Sequence, residues 1–514
     1  MTGNGSQSEI VAWLMNPATH DAAGGNVERI TTHAAIVFLI GDCALKMKRD
    51  VKFAYLDFTT LASRSDALTR ELRLNRRTAP ELYLGVRPIY RTHDGKLSFR
   101  SSPNAQIVEW LLEMKRFDSK SVLDQIADRG DLNAELIDKL AANIAKFHAI
   151  AERRPIEAGA DHFAKVLRSN DSELRNCGEI DLTQVDQISK TSLQFVQDWR
   201  RVLDRRARQG FVRHCHGDLH LANIVVLDGE PTPFDCLEFR DDFATTDVLY
   251  DIAFPLMDLI CRRLRPLANR LLNTYLWQLP FTELQETLHG LPLMRLFVSC
   301  RAAVRAHVLG RRIHNETGSH ASQALDSYID LAKRAFEAPK PKLVAIGGLS
   351  GTGKTTLAKL LAPDIGAVYG AVHLRTDVIR KQKARTDLDA RLPDSAYAKS
   401  QIGRIYDDLC DLASRAVQGE TVILDGVFAD PREREAVQQV ATAAGVPFVG
   451  IWLVAETDEM ERRLDARKSD ASDATGDVLR KQLTYDLGKL DWHRIDANKP
   501  VDVSAVTARA VIGS

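Results

Sequence analysis

Surplus charge, paired cysteines and long apolar runs are all missing from this chain of 514 residues. Lysine plus arginine number 69 and aspartate plus glutamate number 69, and beyond residue 341 the split is 24 basic to 25 acidic. Neither part is therefore expected to hold nucleic acid or a membrane by bulk charge. The seven cysteines (Cys43, Cys177, Cys215, Cys236, Cys261, Cys300, Cys410) are odd in number and scattered, with no C-x-x-C pair. That argues against a disulfide framework or a zinc ribbon and fits a reducing cytoplasm. The longest apolar run, residues 34–40, is far short of the ~18 residues a membrane span needs. Residues 1–10 lack the basic-then-apolar order of a signal peptide. No internal repeat stands out. What is present is an ordinary soluble composition, 45% apolar and 27% charged, with length for two to four folded units.

Proline marks the main division. Leu325, Tyr328, Ile329, Ala332 and Phe336 recur at helical spacing, and Glu337-Ala-Pro-Lys-Pro-Lys342 then stops the helix, so residues 337–342 are expected to be a linker. Before it, strand signals at 34–40 and 44–48 flank Gly41-Asp42, a helix is expected over 61–77 and a buried strand over 107–114. Helical spacing dominates 121–151, a second hairpin pairs 224–227 with 233–237 about Asp228-Gly229, and helices follow to 336. This predicts an α+β domain over 1–336 in two lobes, about 1–115 and 116–336. After the linker, 343–514 alternates strands (343–346, 372–374, 421–424, 448–454) with helices, the rhythm of an α/β domain with a parallel sheet.

The second part opens with Gly348-Leu-Ser350-Gly351-Thr352-Gly353-Lys354-Thr355-Thr356, which satisfies G-x-x-x-x-G-K-[ST] between an apolar strand and a helix. Such glycines let backbone N–H groups curl around phosphate, the lysine reaches the β/γ phosphates, and the Thr355 hydroxyl ligates Mg²⁺. Asp425 ends the strand at 421–424, where ligands of open α/β sheets collect, and suits either the Mg²⁺ shell or a turn. Asp377 also follows a strand; it suits either proton abstraction from an acceptor hydroxyl or a helix N-cap, with Arg380 one turn on. Residues 342–500 resemble the P-loop small-molecule and polynucleotide kinases, among them gluconate kinases and zeta toxins. The resemblance implies that Asp377 is the catalytic base, Arg380 the substrate clamp, and Arg463 and Arg467 of Glu461-Arg-Arg-Leu-Asp-Ala-Arg467 the lid arginines. A remodelling AAA+ ATPase is disfavoured, because Asp425 is followed by Gly426 and not by a water-activating glutamate.

In the first part the signal is His216-Gly-Asp218-Leu-His220-Leu-Ala-Asn223, with Asp235 across the hairpin. Asp218 suits a general base, and Asn223 and Asp235 are the oxygen ligands Mg²⁺ takes beside ATP; the D-x-x-x-x-N interval is that of the protein-kinase catalytic loop. Gly217 interrupts any helix that would align His216 with His220 for zinc, and His216 is expected to bond the loop's own backbone. The region resembles the aminoglycoside phosphotransferase and choline kinase group. That resemblance implies Lys46 as the phosphate lysine, with Lys48 on the same strand face as the alternative. It further implies Glu71 as the lysine's partner, Asp251 as a brace of the loop, and Glu113 with Met114 as a hinge beside adenine. A G-x-G-x-x-G loop is absent, and Glu238 is offered as a second acid.

Taken whole, the chain resembles bacterial fusions of the two kinase types. It is expected to move the γ-phosphoryl of Mg·ATP to hydroxyls of small-molecule acceptors at two sites. The motifs name neither acceptor, and nothing in them sets an oligomeric state. A regulatory pair, or a P-loop ATPase with a non-catalytic kinase-like module, are the alternatives.

Overall fold

Alternation along Cys43–Lys48 sends Lys46 and Lys48 to one face and Leu45 and Met47 to the other. The apolar face closes with Phe38, Ile89 and Leu111 under Ile10 and Leu14 of the helix Asn4–Met15. This computed structural model describes residues 4–20, 26–53, 56–238, 241–313, 319–337, 339–466 and 471–513. The chain forms two compact units. One comprises Met1–Leu132, Lys146–Arg154 and Arg213–Thr246; the other comprises Asn133–Ala145, Pro155–Val212 and Asp247–Ser514.

Among the described residues the first unit holds an antiparallel sheet of six strands. Their order is Glu28–Thr31, Ala35–Ile40, Cys43–Lys48, Gln106–Lys115, Tyr83–Arg91 and Leu97–Ser98. The strand Tyr83–Arg91 escapes the sequence pattern because Gly85 and Pro88 interrupt it, and its register shifts at Tyr83/Gly85. The helix Leu61–Asn75 starts at Thr60, whose hydroxyl accepts from Ser63 N at 3.1 Å, and packs Leu68 against Leu112 and Met114.

Two expected boundaries move. The strand predicted over 107–114 runs through Lys115, so Glu113 and Met114 are still paired, opposite Leu45 and Ala44. The second hairpin pairs Ile224–Leu227 with Glu230–Pro233, not with 233–237. Pro233 closes the ladder, and Asp235 then takes a left-handed backbone at φ +58° that no strand accommodates.

The second unit begins with helices. Buried Arg206 makes a bidentate pair with Asp247 at 2.7 and 2.8 Å, and Asp247 also caps the helix Val248–Cys261. Residues 339–342 carry no helix or strand. Beyond them lies a five-stranded parallel sheet in the order Val372–Arg375, Val422–Asp425, Leu343–Gly347, Phe448–Val454, His493–Asp496. Leu343–Gly347 is buried throughout, as a central parallel strand must be. Its Val344 and Ile346 pack on Leu357 and Leu361 of the helix Lys354–Leu361. Val372–Arg375 is one of the two edge strands, and the helix Arg265–Gln278 covers its open side.

Candidate functional site

In the first unit, Lys46 and Lys48 converge on one buried carboxylate. Lys46 Nζ lies 2.6 Å from Glu71 Oε1 and 2.9 Å from Asp235 Oδ1; Lys48 Nζ lies 2.7 Å from Glu71 Oε2 and 2.6 Å from Glu238 Oε1. Three carboxylates thus share two ammoniums. Burial alone would lower the Lys46 pKa, but Asp235, Glu71 and Glu238 outweigh it and hold the amine charged. Burial raises Glu238, and the neighbouring Glu71 adds to that. Lys48 is the more enclosed of the two lysines, and Glu238 is taken up by it. Lys46 is the one beside Asp235.

The helix Leu61–Asn75 fixes this arrangement through residues four apart. Asn75 Nδ2 donates to Glu71 O at 3.0 Å, and Asn75 Oδ1 accepts from Cys236 N at 2.9 Å. Asp235 N donates to the Tyr83 hydroxyl at 3.0 Å.

The loop after Gly217 holds itself. Gly217 sits at φ +83°, and a Cβ there would fall 3.1 Å from Leu237 and 3.3 Å from Ala244, so a side chain would be strained. Asn223 Nδ2 donates to Asp218 O at 2.9 Å and to Asp218 Oδ2 at 3.0 Å, leaving the carboxylate part-exposed. His216 Nε2 meets Phe234 O at 3.0 Å, while His220 Nε2 lies 3.5 Å from Asp218 Oδ2. His214 is held by Arg77. The histidines therefore turn to separate partners. Asp251 lies buried in Val248–Cys261, 3.7 Å from Arg301 Nη2, and Glu113 lies 3.6 Å from Arg87.

The second unit encloses a cavity of about 1350 Å³ whose floor is the glycine-rich loop. Ser350, Gly351, Gly353, Lys354, Thr355 and Thr356 line it. Gly351 has φ +84°, and a Cβ there would fall 2.5 Å from Met460 O, so only glycine fits between the loop and the helix Thr457–Asp465. Gly348 N donates to Val427 O at 3.2 Å, Thr352 turns its hydroxyl to Leu349 O at 2.8 Å, and Lys354 Nζ donates to the same carbonyl at 2.9 Å. Thr355 Oγ1 meets Asp425 Oδ2 at 2.6 Å. This hydroxyl and carboxylate are a hard-oxygen pair of the kind Mg²⁺ takes, at the foot of a helix whose N-terminus favours anions. The donor set fits a magnesium-bound nucleotide phosphate.

Asp425 ends its strand. Burial alone would raise its pKa, but His373, 3.4 Å away, and the Arg375 and Lys354 charges hold it well below the usual carboxylate range. Asp377 is the second residue of the helix Thr376–Ala384, whose N-cap is Arg375, so Asp377 is not the cap. Its carboxylate lies 2.8 Å from Arg380 Nη1, and the Arg380 guanidinium stands 4.6 Å over the Tyr397 ring. Both line the cavity. Arg463 pairs with Glu459 at 2.7 Å, donates to Ala497 O at 2.7 Å and lies next to Gly353. Arg467 lies outside the described residues.

His373 and Arg375 are missing from the sequence reading, although both contact Asp425, and Arg375 Nη2 also reaches Thr355 Oγ1 at 3.4 Å. The signal was a pair of basic residues bracketing Leu374 in a short strand. Glu433 is also new: it lines the cavity, and burial pushes its carboxyl up to about 7. All seven cysteines are free thiols. Among the described residues no helix is long and apolar enough to cross a membrane.

Comparison with known proteins divides the chain between residues 286 and 343, not at the boundary of the two units. Residues 62–286 match the phosphotransferase enzyme family, and residues 343–485 match an AAA domain. An uncharacterized protein of Mycobacterium tuberculosis is 29% identical over 485 residues, covering 91% of this chain and 92% of that protein, and one of Mycobacterium bovis matches equally. Among solved structures, a choline/ethanolamine kinase family protein from Mesorhizobium loti is 12% identical with TM-score 0.38, covering 65% of this chain and 96% of its own. A sugar kinase from Janibacter is 19% identical with TM-score 0.27, covering 34% and 95%. The chain thus carries, in tandem, a segment similar to the phosphotransferase family and one similar to an AAA domain.

Proposed function

We propose, for a chain that joins a phosphotransferase-family segment to an AAA-type P-loop segment, a two-site ATP-dependent phosphotransferase acting on hydroxyl acceptors. The observation that carries this reading is a repeated division of labour. Lys46 lies beside Asp235 in the first unit as Lys354 lies near the Thr355–Asp425 pair in the second, and each unit carries a further aspartate, Asp218 held by Asn223 and Asp377 held by Arg380.

Mg·ATP brings the phosphoryl group and the cation that neutralises charge as transfer proceeds. In the first unit Asp218 takes the proton of the acceptor hydroxyl as its oxygen bonds to phosphorus and the bond to the leaving ADP oxygen breaks. Asn223 holds Asp218 in place through Nδ2 and, with Asp235, supplies metal ligands. Lys46 meets the phosphates, positioned by Glu71. In the second unit Lys354 and the loop amides take the phosphates, and Thr355 with Asp425 takes the metal. Asp377 receives the acceptor proton while Arg380 holds the acceptor.

The test is ADP release with and without a panel of hydroxyl acceptors, in wild type, Asp218→Asn and Lys354→Ala. Each single variant should abolish a different acceptor-dependent activity. Acceptor-independent hydrolysis lost only in Lys354→Ala would refute two-site transfer and leave a P-loop ATPase. A rise in second-site activity in Asp218→Asn would mark a regulatory pair.

A further inference from the structure

An edge strand leaves one row of backbone N–H and C=O groups without a ladder partner. In the second unit the strand Val372–Arg375 is such an edge, and a helix from the phosphotransferase-family segment pairs with it by side chains. Asn269, Asn273 and Trp277 stand four residues apart and so share one face of Arg265–Gln278. Asn269 Nδ2 donates to Tyr369 O and Ala371 O, both at 2.9 Å; Asn273 Nδ2 donates to Ala371 O at 3.1 Å, and Asn273 Oδ1 accepts from His373 N at 2.7 Å. Trp277 Nε1 donates to His373 O at 2.8 Å. From the other side Gln382 Nε2 donates to Leu276 O, Trp277 O and Leu279 O at 3.3, 3.1 and 2.8 Å.

The strand so held carries His373 and Arg375. The Trp277 ring meets His373 edge-on at 5.4 Å and lies 5.3 Å from the Arg375 guanidinium. Those two side chains are the ones that reach Asp425, and Arg375 also reaches Thr355. The same helix also lines the cavity through Arg270, Thr274 and Trp277, with Asp138 bound by Arg270 and by the Thr274 hydroxyl.

We propose that Trp277 and Asn273, encoded in the phosphotransferase-family segment, are positioning residues of the P-loop site. They hold His373 and Arg375 against the Asp425–Thr355 metal pair, so magnesium-dependent nucleotide binding at the second site depends on a helix of the first segment. The inference rests on the reading of that site as a magnesium–nucleotide site.

The experiment measures binding of a non-hydrolysable ATP analogue to the full chain, in Mg²⁺ and in EDTA. It is joined to amide hydrogen exchange over residues 369–376. Lys354→Ala identifies which binding belongs to the P-loop. Trp277→Phe keeps an aromatic, smaller ring and removes the Nε1 donor; Asn273→Leu removes that residue's bonds to Ala371 O and His373 N. Each should weaken P-loop binding in Mg²⁺ by about tenfold, the size of one lost buried hydrogen bond. Binding in EDTA and at the other site should not change, exchange across 369–376 should rise, and excess Mg²⁺ should restore affinity. A variant that loses affinity equally in Mg²⁺ and EDTA is a purely structural lesion and overturns the proposal, as does unchanged Mg²⁺-dependent binding in both variants. If Lys354→Ala removes no binding, the magnesium–nucleotide reading fails and this inference falls with it.

Discussion

Glu420 offers a sharp test of the energetics of the second unit. It is buried, it accepts from the Tyr369 hydroxyl at 2.8 Å, and its nearest cation is Arg295 at 3.6 Å. Burial outweighs both partners and pushes its carboxyl up to about 7 from 4.5. A group whose pKa is higher folded than unfolded stabilises the fold fully below the unfolded value, and that stability is lost as pH rises through the folded one. Each pH unit within that window is worth about 1.36 kcal/mol, so wild type should lose roughly 2–3 kcal/mol at this group between pH 5 and pH 8. Glu420→Gln keeps the shape and cannot ionise. The assay is urea unfolding of both proteins at pH 5 and at pH 8. The two should differ little at pH 5, and the variant should be more stable by about 2–3 kcal/mol at pH 8, since every other titrating group is common to both. A difference that does not change with pH, or a variant that falls behind as pH rises, would refute the reasoning, because it would mean that Arg295 keeps Glu420 ionised throughout.

Two further predictions concern the sites. Gly351→Ala must push a methyl toward Met460 O and strain a left-handed backbone; nucleotide titration should register about 5- to 150-fold weaker binding at the P-loop, in line with a penalty of about 1–3 kcal/mol. Lys46→Met and Lys48→Met should separate function from stability. Removing Lys48 leaves Glu238 without its lysine in a buried cluster and should cost about 3–5 kcal/mol on unfolding. Removing Lys46 leaves Glu71 bound by Lys48 and should leave the melting temperature near wild type while abolishing first-site transfer; the opposite pattern would assign the phosphate lysine to Lys48.

Much of this was legible in order along the chain. Period-two alternation announced the strand bearing Lys46 and Lys48, and the strand–loop–helix setting of Gly348 to Thr356 announced the second site. What was hidden lay in partners distant in sequence. Asn269, Asn273 and Trp277 have the spacing of a helix face, but asparagines there read as solvated; only the edge strand and the residues leading into it, about 100 residues on, reveal them as backbone partners. Arg375 sits where strand periodicity ends, so it reads as turn. Glu433 is one of two glutamates on the helix Pro431–Ala444, and only the fold brings it to the cavity. Asp235 was placed in a strand because Phe234 and Leu237 are apolar; the left-handed φ that ends the hairpin has no signature in an aspartate.

The covering of Val372–Arg375 also fixes a sequence of events during synthesis. The helix Arg265–Gln278 is complete about 95 residues before His373 is added, roughly 5–20 seconds of elongation. Its asparagines wait in water at little cost, since an amide side chain is readily solvated there. The edge strand, by contrast, emerges into a chain that already carries its cover, so this edge need never stand bare to a neighbouring nascent chain. Reversing the order of the two segments would invert that protection, and the tandem arrangement is in this sense directional.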